Sequence, residues 1–257
     1  MTPVQAIIAK ELRAAFVSPV VYVVAAVFLL VFGIWSYLAV VAAGEQALRQ
    51  MQMPGATAQL NLNEAVFRPT FYFTGFYLLL PVLPLLTMRL LAEERKLCTF
   101  ELLATSPIGI TDIVLGKFLG VYLIFLGLLG LTGLVPLIVS AFNSFEWNPI
   151  FTAYLGLALL GGLFLAIGVF ASALTENQII AAFLSFGFLI LLLLVGIIGF
   201  LMGDTLAGHA LSYLSFYEHF DRLVRGLVET KDIIYFLSGV VFMLFLAHRV
   251  VESHRWR

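Results

Sequence analysis

"IIAAFLSFGFLILLLLVGIIGFLM", Ile179 to Met202, decides the fold. The stretch contains no Asp, Glu, Lys or Arg. A helix needs about 20 mostly apolar residues to cross the hydrocarbon core of a bilayer, so this run predicts a transmembrane helix. Five further stretches read the same way, at about 19–41, 70–91, 113–142, 150–174 and 233–250. Their inner parts are also free of Asp, Glu, Lys and Arg, each of which costs about 2.5–3.5 kcal/mol at a helix centre. The whole chain agrees: its 257 residues are 62% hydrophobic and 11% charged, with mean hydropathy +1.06. Soluble domains average roughly 25% charged residues, so this chain uses lipid as its solvent. Backbone polar groups in lipid must be satisfied internally, which selects helices or closed barrels, and the alternating ten-residue strands of a barrel are absent from the sequence. The expected fold is an all-α integral membrane protein of six transmembrane helices, forming one domain over residues 1–257.

Charge and cysteine use exclude other classes. A net charge of −1 provides no pull toward nucleic acid. The single cysteine, Cys98, rules out an internal disulfide framework. The first seventeen residues lack the apolar core and small-residue site of a cleavable signal peptide. Lysine and arginine near the span ends set orientation. With the N-terminus in the cytoplasm, Lys10, Arg13, Arg89, Arg95, Lys96, Lys117, Arg249, Arg255 and Arg257 lie inside, and Arg49, Arg68, Arg222, Arg225 and Lys231 lie outside. That bias favours both termini inside.

Four pieces do not span. Residues 1–17 predict a helix capped by Thr2, with Pro3 in its first turn and Ser18-Pro19 as its stop. Val4, Ile8, Leu12 and Phe16 make an apolar stripe with Lys10 and Arg13 turned away, as in an interfacial helix lying on the inner membrane surface; the alternative is a frayed extension of the first span. The loop at about 42–69 carries "MPGATAQ" and reads as irregular. The outer segment at 203–231 places Phe216, Phe220, Leu223 and Leu227 at helical spacing, which predicts one or two short amphipathic helices able to re-enter the membrane when protein shields them.

The remaining piece is a charged island, "RLLAEERKLCTFELLATSP", Arg89 to Pro107. No Gly or Pro interrupts helical continuation from the second span through Thr105. Glu94, Cys98 and Glu101 then share one stripe, and Ser106-Pro107 ends the helix. Thr111 can cap the third span, with Asp112 at its positive end. A plain connector has no use for Leu97, Phe100, Leu102 and Leu103, so the island reads either as a wet loop or as a helix that docks another protein.

Enzyme signatures are missing. "GITDIVLGKF" spaces Gly109 and Gly116 too widely for a phosphate loop and has Phe118 where a magnesium-holding hydroxyl belongs. A serine-hydrolase elbow is absent. His209, His219, His248 and His254 lack the i, i+4 spacing of a zinc pair, so neither catalytic residues nor a metal site is expected. Glu218, His219 and Asp221 read either as a weak cation site or as the solvated face of a short helix, and the second is simpler. Spans with no interior acid or histidine argue against a proton- or ion-coupled carrier. Gly127, Gly130, Gly133, Gly156, Gly161, Gly162, Ala166 and Gly168 permit close helix packing, within the chain or across a dimer. Pro81 and Pro84 predict a kink or a hinge in the second span.

The stretch "MRLLAEERKLCTFELLATSPIGITDIVLGKF" resembles the inner loop of permeases of the type-2 (ABC-2) family of ABC transporters. The likeness rests on Glu94, Arg95, Lys96, Thr99, Glu101, Leu102, Leu103, Ser106, Pro107, Gly116 and Lys117, with Cys98 departing where the family commonly has Gly. "KELRAAFVSPVVYV" is similar to the family's elbow helix and first span, and "SALTENQIIAA" to its short turn between the fourth and fifth spans. "HFDRLVRGLVETKDIIYFLS" and "ESHRWR" resemble the gliding-motility (Gld-type) permease subunits, a subgroup also found in bacteria that do not glide.

The resemblance implies a permease subunit of the bacterial inner membrane, working in export or mechanotransmission. It implies a dimer with a second permease copy and two cytosolic ABC ATPase subunits, which would use ATP and magnesium; this chain would bind no cofactor itself. It also implies a coupling helix at 92–107, through Glu93, Glu94, Arg95, Lys96, Phe100, Glu101, Leu103 and Pro107. Thr175 and Glu176 would make a second contact, and Phe216, Phe220 and Leu223 would serve an extracytoplasmic gate. Gld-type systems often add a membrane-anchored auxiliary subunit with a large extracytoplasmic domain. The competing expectations are a passive carrier or channel, and a membrane scaffold for an extracytoplasmic partner.

Overall fold

The computed structural model describes residues 2–52, 61–97, 109–203 and 205–254. Among them there are helices and turns and no strands. Helix α1 is Pro3–Val17 and α2 is Pro19–Met51. The broken helix α3 is built from Asn63–Phe67, Arg68–Phe73, Thr74–Leu78 and Leu79–Thr87. Then come α4 (Ala92–Lys96), α5 (Ile110–Thr132), α6 (Leu134–Ser140), α7 (Asn148–Leu174), α8 (Gln178–Leu201), α9 (Leu206–Leu214), α10 (Phe216–Val224) and α11 (Thr230–His254). Six helices are long and apolar enough to cross a membrane: α2, α3 with α4, α5 with α6, α7, α8 and α11. They match the six expected spans, with shifted ends. The first runs ten residues past its expected end at Val41, through Glu45 and Arg49, which pair at i, i+4. The second begins at Asn63 rather than Thr70.

Helix α7 forms the centre. In its most apolar stretch 78% of residues are buried, against 17% in those of α8 and α11, so the outer helices carry most of the surface that lipid must solvate. Its small residues admit its neighbours: Phe125 of α5 lies against Gly161 and Thr87 of α3 against Gly168. The glycines of α7 therefore pack within the chain, whereas Gly127 and Gly130 of α5 face open space.

The second span is irregular at more places than its prolines mark. Two π turns, Asn63–Phe67 and Thr74–Leu78, precede the piece that contains Pro84. Threonine hydroxyls along this span bond back onto carbonyls of the preceding turn: Thr70 donates to Val66 O at 2.7 Å, Thr74 to Thr70 O at 2.8 Å and Thr87 to Leu83 O at 3.0 Å. The helix then stops. Residues 88–91 form turns before α4 begins, so the expected unbroken helix through Thr105 is not what forms at its start.

Two features of the N-terminus follow the sequence. Thr2 caps α1 in a reciprocal box with Gln5, and Ser18 ends it before Pro19. Its packed face differs from the expected stripe: Ile7 is the buried residue, whereas Phe16 is exposed. At α5, Gly109 occupies the cap position with no side-chain bond, and Thr111 lies inside the first turn, so the expected threonine cap is not made.

Candidate functional site

At the end of the bundle that holds Arg95, four pieces of chain converge. Ser172 of α7 is wholly buried and repairs the break in the second span. Its hydroxyl accepts from the N–H groups of Leu91 and Ala92 at 3.1 Å each and donates to Met88 O at 3.2 Å. Three backbone groups that the broken helix leaves open are satisfied by one side chain, which fixes where α4 starts.

The charges of α4 then turn toward the protein. Glu94 lies 2.9 Å from Lys10 of α1 and 2.9 Å from Lys117 of α5. Lys117 also contacts Glu11 of α1 at 2.9 Å, and only 3% of its side chain is exposed. A buried ammonium is tolerable when paired and hydrogen-bonded; here two carboxylates hold it. Burial lowers the pKa of Lys10, but the hydrogen bond and charge of Glu94 outweigh it and hold that ammonium above its ordinary value. Arg95 points the other way, its Nη1 donating to Ala173 O at 2.8 Å and its Nη2 to Glu176 at 3.0 Å. The fork joins α4 to the turn between α7 and α8, where Thr175 accepts from the N–H of Asn177 and Asn177 caps α8.

Glycines let α1 reach this cluster. A Cβ on Gly116 would sit 2.8 Å from the Ile7 side chain, and one on Gly120 would sit 2.8 Å from Glu11 Cβ. These two residues, one turn apart, form the notch into which α1 presses, with Lys117 between them.

Of the expected coupling residues, Glu94, Arg95 and Glu176 are thus brought together as internal ties. Glu93 is half-buried, and Lys96 and Leu97 are exposed. Phe100, Glu101, Leu103 and Pro107 lie outside the described residues, as do Cys98 and the proposed end of the helix. Sequence reasoning missed the roles of Glu11, Lys117 and Ser172. Lys117 carried a clue, because an ionisable residue at the edge of an apolar span needs a partner. Ser172, one hydroxyl in an apolar helix, had none.

At the opposite end, α9 and α10 form the two short helices expected of the 203–231 segment. Thr205 caps the first and Ser215 the second. Phe216, Phe220 and Leu223 are almost completely buried, while Leu227 is exposed. A Cβ on Gly75 of α3 would meet the Phe220 ring at 2.8 Å, and one on Gly156 of α7 would meet Leu223 Cβ at 3.0 Å. Phe220 and Leu223 are therefore seated in glycine notches of two spans, and Phe216 joins Phe220 in an aromatic cluster that includes Phe76 and Phe164.

Glu218, His219 and Asp221 do not converge. Glu218 is exposed, and Asp221 bonds Tyr72 and pairs with Arg225 at 2.8 Å and Arg68 at 3.8 Å. His219 is buried, with Nε2 donating to Tyr213 O at 3.0 Å and Nδ1 2.6 Å from Asp232 of α11. Arg222 Nε donates to both Asp232 oxygens, at 3.1 and 3.0 Å, and the Tyr235 ring stacks on His219 at 4.1 Å. Among the described residues, no group of three or more His, Cys, Asp or Glu could hold a metal ion.

Among the described residues, these ionic clusters lie at the two ends of an apolar bundle. No curated protein matches the chain significantly. A family model described as "ABC-2 family transporter protein" matches residues 5–251, from the first turn of α1 to the last turn of α11. The chain belongs to the ABC-2 family of transporter membrane proteins, as a multi-pass component.

Proposed function

We propose that this chain is the permease subunit of an ATP-driven transporter and that the Arg95 end receives the stroke of a separate cytosolic ATPase. Membrane components of this family are generally not catalytic and work with an ATPase. The single observation that carries the reading is the wiring of α4. A five-residue helix is tied by Glu94 to α1 and α5, and by Arg95 to the turn after α7. A push on exposed Lys96, on Leu97 just after the helix and on the segment that follows is shared at once by three other parts of the membrane domain. Glu94 and Arg95 transmit, while the contact itself falls to their exposed neighbours, with Phe100, Glu101, Leu103 and Pro107 completing it.

In this reading the N-terminus and the Arg95 end face the cytoplasm of a bacterial inner membrane, an orientation that the lysine and arginine bias favours. The chain pairs with a second permease copy, and two ATPases bind from the cytosol and use ATP and magnesium. The packing of Phe216, Phe220 and Leu223 against α3 and α7 supports a role for α10 as an extracytoplasmic gate that moves with those spans. The likeness of the 219–238 segment to Gld-type permeases supports an auxiliary subunit with an extracytoplasmic domain, and a role in export or force transmission.

The test is purification of the tagged full chain from its native membrane, with ATP hydrolysis measured in the product. A cysteine at Leu97, in a Cys98→Ser background, should crosslink to the hydrolysing subunit. ATP-independent substrate flux by the chain alone would indicate a passive carrier. A stable complex without an ATP-binding subunit would indicate a scaffold.

A further inference from the structure

A groove of about 350 Å³ opens between α5 and α11 near the Arg95 end. Val114 and Leu115 form one wall, and Val241, Leu244 and Phe245 the other. Thr111, His248 and Arg249 gather where the two spans end. Arg249 lies five residues before the last residue of α11, about 7 Å along the axis at 1.5 Å per residue. Val241 lies two turns deeper. The groove is therefore apolar along its length and cationic at its mouth.

Arg249 is positioned to serve that mouth. Its guanidinium stands 5.1 Å from the Phe245 ring centroid, a cation–π arrangement that lays it over the apolar wall. Its pair with Glu252 engages Nη1 at 2.9 Å, one group of a head that carries five donors. Val241 and Phe245 are more than half exposed, so whatever covers them is apolar along this depth. An occupant that is also negative at the span end complements Arg249.

We propose that this groove seats one phospholipid with an anionic headgroup. An acyl chain lies along Val114, Val241 and Leu244, and the phosphate meets Arg249, His248 and the Thr111 hydroxyl. Basic side chains at the end of a transmembrane groove favour anionic over zwitterionic headgroups, by about five-fold for one added cation contact. A free phosphate would satisfy the cation and leave the apolar walls uncovered. The inference does not depend on coupling to an ATPase.

The full chain, reconstituted in nanodiscs of equal parts phosphatidylglycerol and phosphatidylcholine, can be released and its retained lipids counted by native mass spectrometry. The wild type should keep phosphatidylglycerol over phosphatidylcholine by about five-fold at one site. His248→Gln with Arg249→Gln should bring the ratio to parity, and Leu244→Trp, which fills the groove and keeps the charges, should lose the bound lipid. Leu123→Trp, on the exposed face of α5, should retain it. Equal retention of both lipids by the wild type, or an undiminished preference in the double variant, overturns the proposal. Loss of a chain dimer in Leu244→Trp with lipid retention unchanged would assign the groove to a second copy and overturn it equally.

Discussion

At one end of the bundle a buried lysine, Lys117, is clasped by two carboxylates; at the other a buried aspartate, Asp232, is clasped by an arginine and a histidine. The two clusters have opposite signs and different reach. The partners of Asp232 lie 13 and 10 residues away in the chain, on the helix that precedes it. Asp232 is wholly buried, and Tyr235 stacks on its histidine. That cluster staples a local corner. The partners of Lys117 come from α1 and α4, and one of them, Glu11, is 106 residues distant. Their carboxylates keep 14–15% of their side-chain surface in contact with solvent. These bonds join separate pieces that no short stretch of chain holds together. The Asp232 end is thus a local staple, whereas the Lys117 end is a joint between separate pieces of chain.

The largest expected effect breaks the staple. Asp232→Asn strands a buried histidine and an arginine, and should destabilise the protein by about 3–5 kcal/mol, read as a large fall in thermal unfolding temperature in detergent. The equivalent change at the joint should be milder. Lys117→Met leaves Glu94 paired with Lys10 and Glu11 15% exposed, so about 2 kcal/mol is expected. Equal losses at the two ends would erase the contrast.

Next comes the notch. Gly120→Val drives a side chain into Glu11, and overpacking of this kind costs about 1–3 kcal/mol. It should lift α1 from α5 while leaving α10 in place. In a Cys98→Ser background, a reporter Ile7→Cys should become reactive to thiol reagents, and Phe220→Cys should stay protected.

The smallest effect belongs to Lys10, whose side chain is 58% exposed. Lys10→Ala should change stability by less than about 1 kcal/mol, and high salt should mask even that. Because Glu94 raises the pKa of Lys10 above 10.5, its contribution is fully present below that value. It disappears only as pH rises through the raised pKa. A titration should show no loss from this pair between pH 6 and about 9.

The six spans were legible because lipid tolerates so few compositions: a long charge-free run has one reading. The caps at Thr2 and Ser18 were legible because they are local. The break at residues 88–91 was not, because Ser172, 80 residues away in the chain, takes its backbone bonds. Glu94 illustrates the same limit at the site. Its spacing with Cys98 and Glu101 suggested an outward docking stripe, yet Lys10 and Lys117 draw it inward, and their positions depend on how α1 packs on α5. Phe220 was visible as part of an amphipathic face, while the glycine notches that receive it lie in other spans.

In the proposed cycle Arg95 carries movement from α4 to the turn after α7. The most direct measurement is ATP hydrolysis by the native complex in nanodiscs, comparing wild type with Arg95→Gln at equal amounts of bound ATPase. Loss of a charge-assisted tie of about 1.4 kcal/mol corresponds to about ten-fold in rate. The ATPase should still bind, and permease-dependent hydrolysis should fall by about that factor. Full binding with the wild-type rate would contradict it.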